Sequence, residues 1–316
     1  MGLLRVGLVG LGRQMTQVLA PALAQIGGAR IAAVCDTDPA RLDCFSRVFA
    51  APQRFESASA MLDAAELDAV LVAVGHDSNL PILEAALTAG VSAFVEKTPV
   101  ASAGAAEQLA SLQEETGRYV MAGFNRRFMD DFVELRRAVA SPAFGEARLF
   151  QSQFHASRYD ERAFLLNHVI HHLDLARFVL GEVEVRHVEH RRWAEREDAY
   201  AISFTTNSGV IGTIQAASSL DPRFPVERVE VVGLGGNVVV DELGYRWNRA
   251  PGTRTGADGP GWEPSAYRAQ HVNLMGYAAE LSHFLASVRT GARPTPDISD
   301  AAKTLRLVET VVAGVR

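Results

Sequence analysis

Leu4-Arg5-Val6-Gly7-Leu8-Val9-Gly10-Leu11-Gly12-Arg13-Gln14-Met15 is the stretch that decides the fold. A six-residue apolar run ends in two spaced glycines and opens a helical stretch from Arg13 to Ile26, which Gly27-Gly28 stops. In such a strand–turn–helix unit the first glycine permits the tight turn and the second lets a ligand approach the backbone. The helix start adds unpaired N–H groups and the positive end of its dipole, a setting suited to a pyrophosphate. Met15 stands where a third small residue would let helix and strand pack closely, so the fingerprint of Gly10, Gly12, Arg13, Gln14 and Met15 is incomplete. Asp36 strengthens it. It ends the next β-rich run, 21 residues after Met15, where a carboxylate accepts hydrogen bonds from an adenosine ribose. A negative group there repels a 2′-phosphate, so the spacing predicts NAD, with NADP less favoured.

Working outward, Arg30 to Cys35, Ala69 to Val74 and Val91 to Val95 are further β-rich apolar segments separated by alanine-rich helical spans. Strands apolar on both faces and alternating with helices predict a doubly wound parallel sheet in an α/β domain. After Tyr119-Val120-Met121-Ala122 the pattern changes. Strand-like segments follow one another at 146–154, 182–193, 200–206, 210–217, 226–232 and 237–240, which predicts a mostly antiparallel open sheet in an α+β domain. A helix at about 164–180 interrupts them, and helices near 272–288 and 299–312 follow. The expected domains are therefore 1–122, dinucleotide-binding, and 123–316, for substrate and oligomerisation. Trp262 and Tyr267 lie in a long Gly- and Pro-rich connection that reads equally as a lid or as a flexible loop.

The length of 316 residues fits two domains, and 48% hydrophobic with 22% charged residues fits a globular chain. A net charge of −6 argues against a nucleic-acid or anionic-membrane partner. No apolar run approaches the roughly 18 residues of a membrane helix, and the first residues lack the pattern of a signal peptide. Cys35 and Cys44 form neither a disulfide framework nor a zinc spacing, which points to reduced thiols and a cytoplasmic protein.

Four further segments resemble the glucose–fructose oxidoreductase / inositol dehydrogenase / MocA-type family. Val95-Glu96-Lys97-Thr98-Pro99 resembles its Glu-Lys-Pro motif, and Ala73-Val74-Gly75-His76 through Ala89-Gly90 its cofactor-lining strand–helix unit. Gly123-Phe124-Asn125-Arg126-Arg127-Phe128 resembles the lead into the second domain, and Asn167-His168-Val169-Ile170-His171-His172-Leu173-Asp174 the Asp-x-x-x-His motif with its trailing Asp. MviM-type members look nearest. The sequence departs from the family at Met15, at Thr98 in place of proline, at Asn79 where a helix often begins with His, and at Asn167 in place of the motif Asp.

The resemblance implies an NAD(P)-dependent oxidoreductase moving a hydride between nicotinamide and a secondary alcohol or ketone of a sugar, cyclitol or related polar metabolite. It implies that Val74, Gly75, His76, Asn79, Glu96, Lys97 and Asn125 line the cofactor. Lys97, at the carboxyl end of a parallel strand, would hydrogen-bond the substrate oxygen, and Glu96 would orient Lys97 or line the pocket. His171 is the best general acid/base because imidazole titrates near neutrality. At helical spacing Asn167, His171 and Asp174 share a stripe, so Asp174 is expected to anchor the His171 ring. Asn can carry no proton, which restricts Asn167 to positioning. Arg127 or Arg158 would grip a carboxylate or sugar hydroxyls, an ordinary ion pair being the alternative, and His168 would edge the substrate pocket. No cysteine or second cluster completes His168, His171, His172 and Asp174 as metal ligands, so no metal is expected. Two other functions stay open: a redox-neutral reaction with retained NAD, such as glycoside cleavage by transient oxidation, and a non-catalytic NAD-binding regulator. A partly apolar open sheet face predicts a homodimer or homotetramer.

Overall fold

The computed structural model describes residues 2–51, 53–155, 164–194, 197–218, 226–241, 244–248, 253–255 and 272–315. Two compact units emerge: Met1–Asn125 with His271–Lys303, and Arg126–Gln270 with Thr304–Arg316.

The first unit is built on β1 (Leu4–Val9), β2 (Ala29–Cys35), β3 (Gln53–Phe55), β4 (Ala69–Val72), β5 (Ser92–Glu96) and β6 (Val120–Gly123). All pair in parallel, in the order β3-β2-β1-β4-β5-β6. Strands β4, β5 and β6 are buried at every position, as a sheet covered on both faces requires. The strand order reverses between β1 and β4, so the crevice beyond their carboxyl ends is where this architecture places a ligand. The helices are α1 (Ala20–Ile26), α2 (Pro39–Val48), α3 (Ala58–Ala64), α4 (His76–Thr88) and α5 (Ala103–Thr116). Asp38, Ser57 and Ser102 accept backbone N–H groups at the starts of α2, α3 and α5.

A π turn, Met15–Leu19, precedes α1. Pro21 has no N–H for the carbonyl four residues back, and a wider turn accommodates that loss. Met15 is fully buried inside it, so a large side chain fills the helix–strand interface where a small residue was anticipated.

The second unit holds α6 (Asp130–Val139), β7 (Ala147–His155), α7 (Ile170–Leu180), β8 (Val183–Ala194), β9 (Glu197–Thr206), β10 (Ile211–Ala217), β11 (Val226–Gly233), β12 (Gly236–Asp241), β13 (Gly244–Asn248) and β14 (Thr253–Thr255). The eight strands run β14-β13-β12-β11-β7-β10-β9-β8, antiparallel except for the β7–β10 pair. Burial alternates along β7, β9 and β10. Phe150, Ser152 and Phe154 of β7 and Tyr200, Ile202 and Phe204 of β9 point inward, while Gln151, Ala201 and Gln215 are exposed on the other face. One covered and one open face produce this period of two.

The remaining helices are α8 (Tyr277–Thr290) and α9 (Ile298–Gly314). The sequence placed everything after residue 122 in the second domain, yet α8 packs with the first unit. The Phe284 ring lies 5.9 Å from Phe94 of β5, and Gln25 Nε2 donates to Asn273 Oδ1 at 3.0 Å. Asp297 is drawn in as well, since Gln113 Nε2 donates to its Oδ2 at 3.0 Å. Burial of Phe284 and satisfaction of Asp297 are tertiary effects that no local pattern announces.

Candidate functional site

In the first unit the glycine turn is shaped by its surroundings. Gly10 has φ +82°, and a Cβ there would lie 2.4 Å from Val74 Cγ1 and 2.6 Å from the Ala73 carbonyl oxygen, so only glycine fits. A Cβ on Gly12 would meet nothing within 4 Å, which leaves its backbone open to a ligand. Asp36 is buried. Its Oδ2 accepts the Leu11 N–H at 2.7 Å, its Oδ1 accepts the Asp38 N–H at 2.9 Å, and Arg41 Nη1 lies 3.7 Å from Oδ2. The acid that the spacing singled out thus also braces the turn it serves. These groups wall a cleft of about 660 Å3 that Thr37, Val74, Gly75 and Ser78 line as well. That volume suits a small organic ligand or half of a dinucleotide.

Lys97 follows β5 directly and is half-buried; its peptide bond to Thr98 is cis. Glu96, the last residue of β5, is buried and holds two partners. Oε1 accepts Gln14 Nε2 at 2.7 Å, and Oε2 accepts the Lys97 N–H at 3.2 Å. Burial pushes the Glu96 carboxyl above its usual range, a rise that the Lys97 charge and the Gln14 hydrogen bond only partly offset. Asn79 was expected on the cofactor wall. It is instead fully buried, with Nδ2 donating to the Thr98 carbonyl at 3.4 Å and Oδ1 lacking a hydrogen-bond partner among the described residues.

Other anticipated cofactor residues sit less directly. The Met15 side chain is buried, so only its backbone is available to a ligand. Arg13 is exposed and donates through Nε to Gln17 Oε1 at 3.1 Å. His76 opens α4, with Nε2 3.5 Å from Asp77 Oδ1. Asn125 is buried and donates through Nδ2 to the Met275 carbonyl at 2.8 Å, an internal tie rather than a cleft surface.

In the second unit Asn167 and His168 occupy a π turn, Leu165–Val169, that leads into α7. Helical spacing put Asn167, His171 and Asp174 on one stripe; the π turn shifts Asn167 against that period, while His171 and Asp174 both lie in the regular helix α7. Asp174 does not serve as the expected anchor for His171. It accepts Arg127 Nε at 2.7 Å and Arg127 Nη2 at 2.6 Å, and Thr304 Oγ1 donates to its Oδ1 at 3.0 Å. Arg127, proposed from sequence as a substrate grip, spends the paired face of its guanidinium on this buried acid. A desolvated carboxylate demands such a partner.

His171 is buried, whereas Asn167 and His168 are half-buried. His168 stacks on Phe154, with ring centroids 4.9 Å apart and planes at 16°. His172 is fully buried, with Nδ1 2.6 Å from Ser152 Oγ and Nε2 3.6 Å from Glu227 Oε1. Burial lowers its pKa to about 4. Glu227 binds Arg126 through Nε and Nη2, at 2.5 and 3.0 Å. Burial alone would raise the Glu227 carboxyl, but Arg126 and the two histidines hold it below the usual range. Sequence reasoning missed this cluster because its members come from separate elements. Among the described residues no group of three or more His, Cys, Asp or Glu is arranged to hold a metal ion. Arg158, Trp262 and Tyr267 lie outside the described residues.

One signal in the sequence bears on Lys97 with no structure at all. Of 31 basic residues only two are lysines, Lys97 and Lys303. A guanidinium keeps its proton where an ammonium can release one, so lysine and arginine are not interchangeable at the mouth of a parallel strand.

Comparison with known proteins bears on both units. Residues 4–124 match the model of an oxidoreductase family with an NAD-binding Rossmann fold, and residues 132–239 match the GFO/IDH/MocA C-terminal domain. The chain is 30% identical over 318 residues to D-apiose dehydrogenase of Paraburkholderia graminis, covering 92% of this chain and 82% of that one. It is 26% identical over 328 residues to inositol 2-dehydrogenase of Rhizobium meliloti, covering 98% and 96%. The crystal structure of a dehydrogenase from Chromobacterium violaceum superposes with a TM-score of 0.88 at 25% identity, covering 100% of this chain and 96% of that one.

Proposed function

Since the chain belongs to the Gfo/Idh/MocA oxidoreductase family, with its NAD-binding Rossmann fold, we propose that it transfers a hydride between NAD and a secondary alcohol or ketone of a sugar, cyclitol or related polar metabolite. The observation that carries this reading is Lys97, at the carboxyl end of β5, backed by the buried Glu96. The names of the relatives, apiose and inositol dehydrogenases, support a polyhydroxylated substrate.

The residues fit the dinucleotide on a structural ground: a cleft rimmed by the open backbone of Gly12 leads to the carboxylate of Asp36. When bound, the nicotinamide supplies the hydride acceptor. The amides at the start of the first helix would hold the diphosphate and Asp36 the adenosine ribose hydroxyls, which would favour NAD over NADP. Lys97 would hydrogen-bond the substrate oxygen and take the proton that leaves as the alcohol becomes a ketone; His171 in the second unit is the other residue proposed for that proton. Asn167 donates and accepts hydrogen bonds to substrate hydroxyls without carrying a proton.

We further take the chain to work in the cytoplasm as a homodimer or homotetramer, with the open face of the eight-stranded sheet as the assembly surface. Two free cysteines support the first point, and the exposure of Gln151, Ala201, Ile211 and Gln215 among the described residues supports the second. No described helix is long and apolar enough to cross a membrane. The test is NADH formation across a panel of cyclitols, aldoses and sugar acids. A substrate-dependent rise in NADH supports the reading, and silence across the whole panel refutes it.

A further inference from the structure

The contact between Gln14 and Glu96 joins two parts of the first unit that are 82 residues apart in sequence. Gln14 belongs to the first helical turn after Gly12, where backbone N–H groups have no acceptor within the helix and face whatever anion the turn holds. Its side chain leaves that turn and donates to Glu96 Oε1 at 2.7 Å. The second oxygen of the same carboxylate accepts the backbone N–H of Lys97 at 3.2 Å. One buried carboxylate therefore bridges the residue that begins the ligand-binding helix and the residue that carries the ammonium.

We propose that Gln14 and Glu96 are positioning residues that transmit occupancy of the diphosphate site to the placement of Lys97. This rests on the reading of the glycine turn as a nucleotide site and of Lys97 as the proton-handling group. The physics favours a stiff link. Glu96 is only 8% exposed, and hydrogen bonds to a desolvated carboxylate are short, strong and costly to leave unmade. Burial opposes its ionisation, and Gln14 and Lys97 are the groups that favour it, so a movement of Gln14 changes the charge environment of Lys97 as well as its backbone. A second tie acts on the same loop from α4, where Asn79 Nδ2 donates to the Thr98 carbonyl at 3.4 Å. The loop bearing Lys97 is thus held from both cofactor-facing helix starts, and Gln14 is the one whose own backbone lies in the diphosphate turn.

The composition supplies a clean experiment. With only Lys97 and Lys303 present, protein labelled with 13C-lysine gives two side-chain signals in an NMR spectrum, and Lys303→Arg assigns them. The probe is ADP, which carries the adenosine and the diphosphate but neither the second ribose nor the nicotinamide. Saturating ADP is expected to shift the Lys97 signal and leave Lys303 in place. In Gln14→Met, which keeps the length of the side chain but lacks the donor, that shift, read at saturating ADP, falls at least threefold. Gln14→Leu serves as a second variant should the first fold poorly. An undiminished Lys97 shift in the variants overturns the proposal, as does its absence in the parent protein. A tenfold weaker ADP Kd with the saturated shift intact also overturns it, because Gln14 would then simply hold the diphosphate. Since ADP cannot react, failure on the substrate panel with an intact Gln14-dependent shift would fault the catalytic reading and leave this link standing.

Discussion

Arg127 grips Asp174 through two parallel hydrogen bonds, Nε to Oδ2 at 2.7 Å and Nη2 to Oδ1 at 2.6 Å, with both side chains nearly removed from solvent. The pair is joined by Thr304, which donates to Asp174 Oδ1 and accepts from Arg177 Nη1 at 2.7 Å. These contacts make Asp174 a structural anion of the second unit and Arg127 its counterion.

Breaking that pair on one side leaves a buried charge alone. Asp174→Asn or Arg127→Leu should therefore cost about 3–5 kcal/mol in urea unfolding. The double variant Arg127→Leu/Asp174→Leu should cost clearly less than the sum of the single variants, since no charge is stranded. Additive single losses would show that the two groups are not coupled.

Acid stability is set in part by His172. Its pKa of about 4 in the folded chain lies below the roughly 6.5 of an unfolded histidine. As pH falls the unfolded chain takes up the proton first. The contribution is therefore complete above about pH 6.5 and lost progressively toward pH 4. Charged neighbours are Glu227 and Arg126, with the Ser152 hydroxyl on the opposite ring nitrogen. Unfolding at pH 5 should be easier than at pH 7 by about 2 kcal/mol from this group alone. His172→Gln should flatten that slope; Glu227, held below its usual range, would add its own loss only in more acidic solution.

Asp36 has two duties, bracing the Leu11 amide and receiving ribose hydroxyls. Asp36→Ala should weaken NADH binding by tenfold or more, in line with about 1.5–3 kcal/mol for hydrogen bonds to a charged acceptor. NADPH binding should weaken less or strengthen, because the repulsion of a 2′-phosphate is gone. Calorimetry on both nucleotides measures the change in preference. An equal loss for both would mean that Asp36 acts only through the shape of the glycine turn.

The parallel sheet was legible because β1, β4 and β5 are mostly apolar and separated by helical spans, and the open sheet because strand-like segments follow one another without intervening helices. The strand β3 escaped notice: it is three residues at a sheet edge, and Gln53 and Arg54 face solvent. The glycine turn and Asp36 were readable because their chemistry is local. By contrast Asp174 reaches Arg127 across 47 positions, and Gln14 reaches Glu96 across 82. Partners at such distances leave no periodicity, and the helical stripe suggested His171 for Asp174 because nothing local announces that Arg127 takes that acid.

Replacing Lys97 by arginine tests the proton-handling role most directly, because a guanidinium keeps the positive charge but does not release a proton near neutral pH. With a substrate from the panel, Lys97→Arg is predicted to lower kcat by a factor of about 10²–10⁴, the range for a lost general acid/base, with NADH affinity within threefold of the parent. A kcat within a few-fold of the parent would contradict the account.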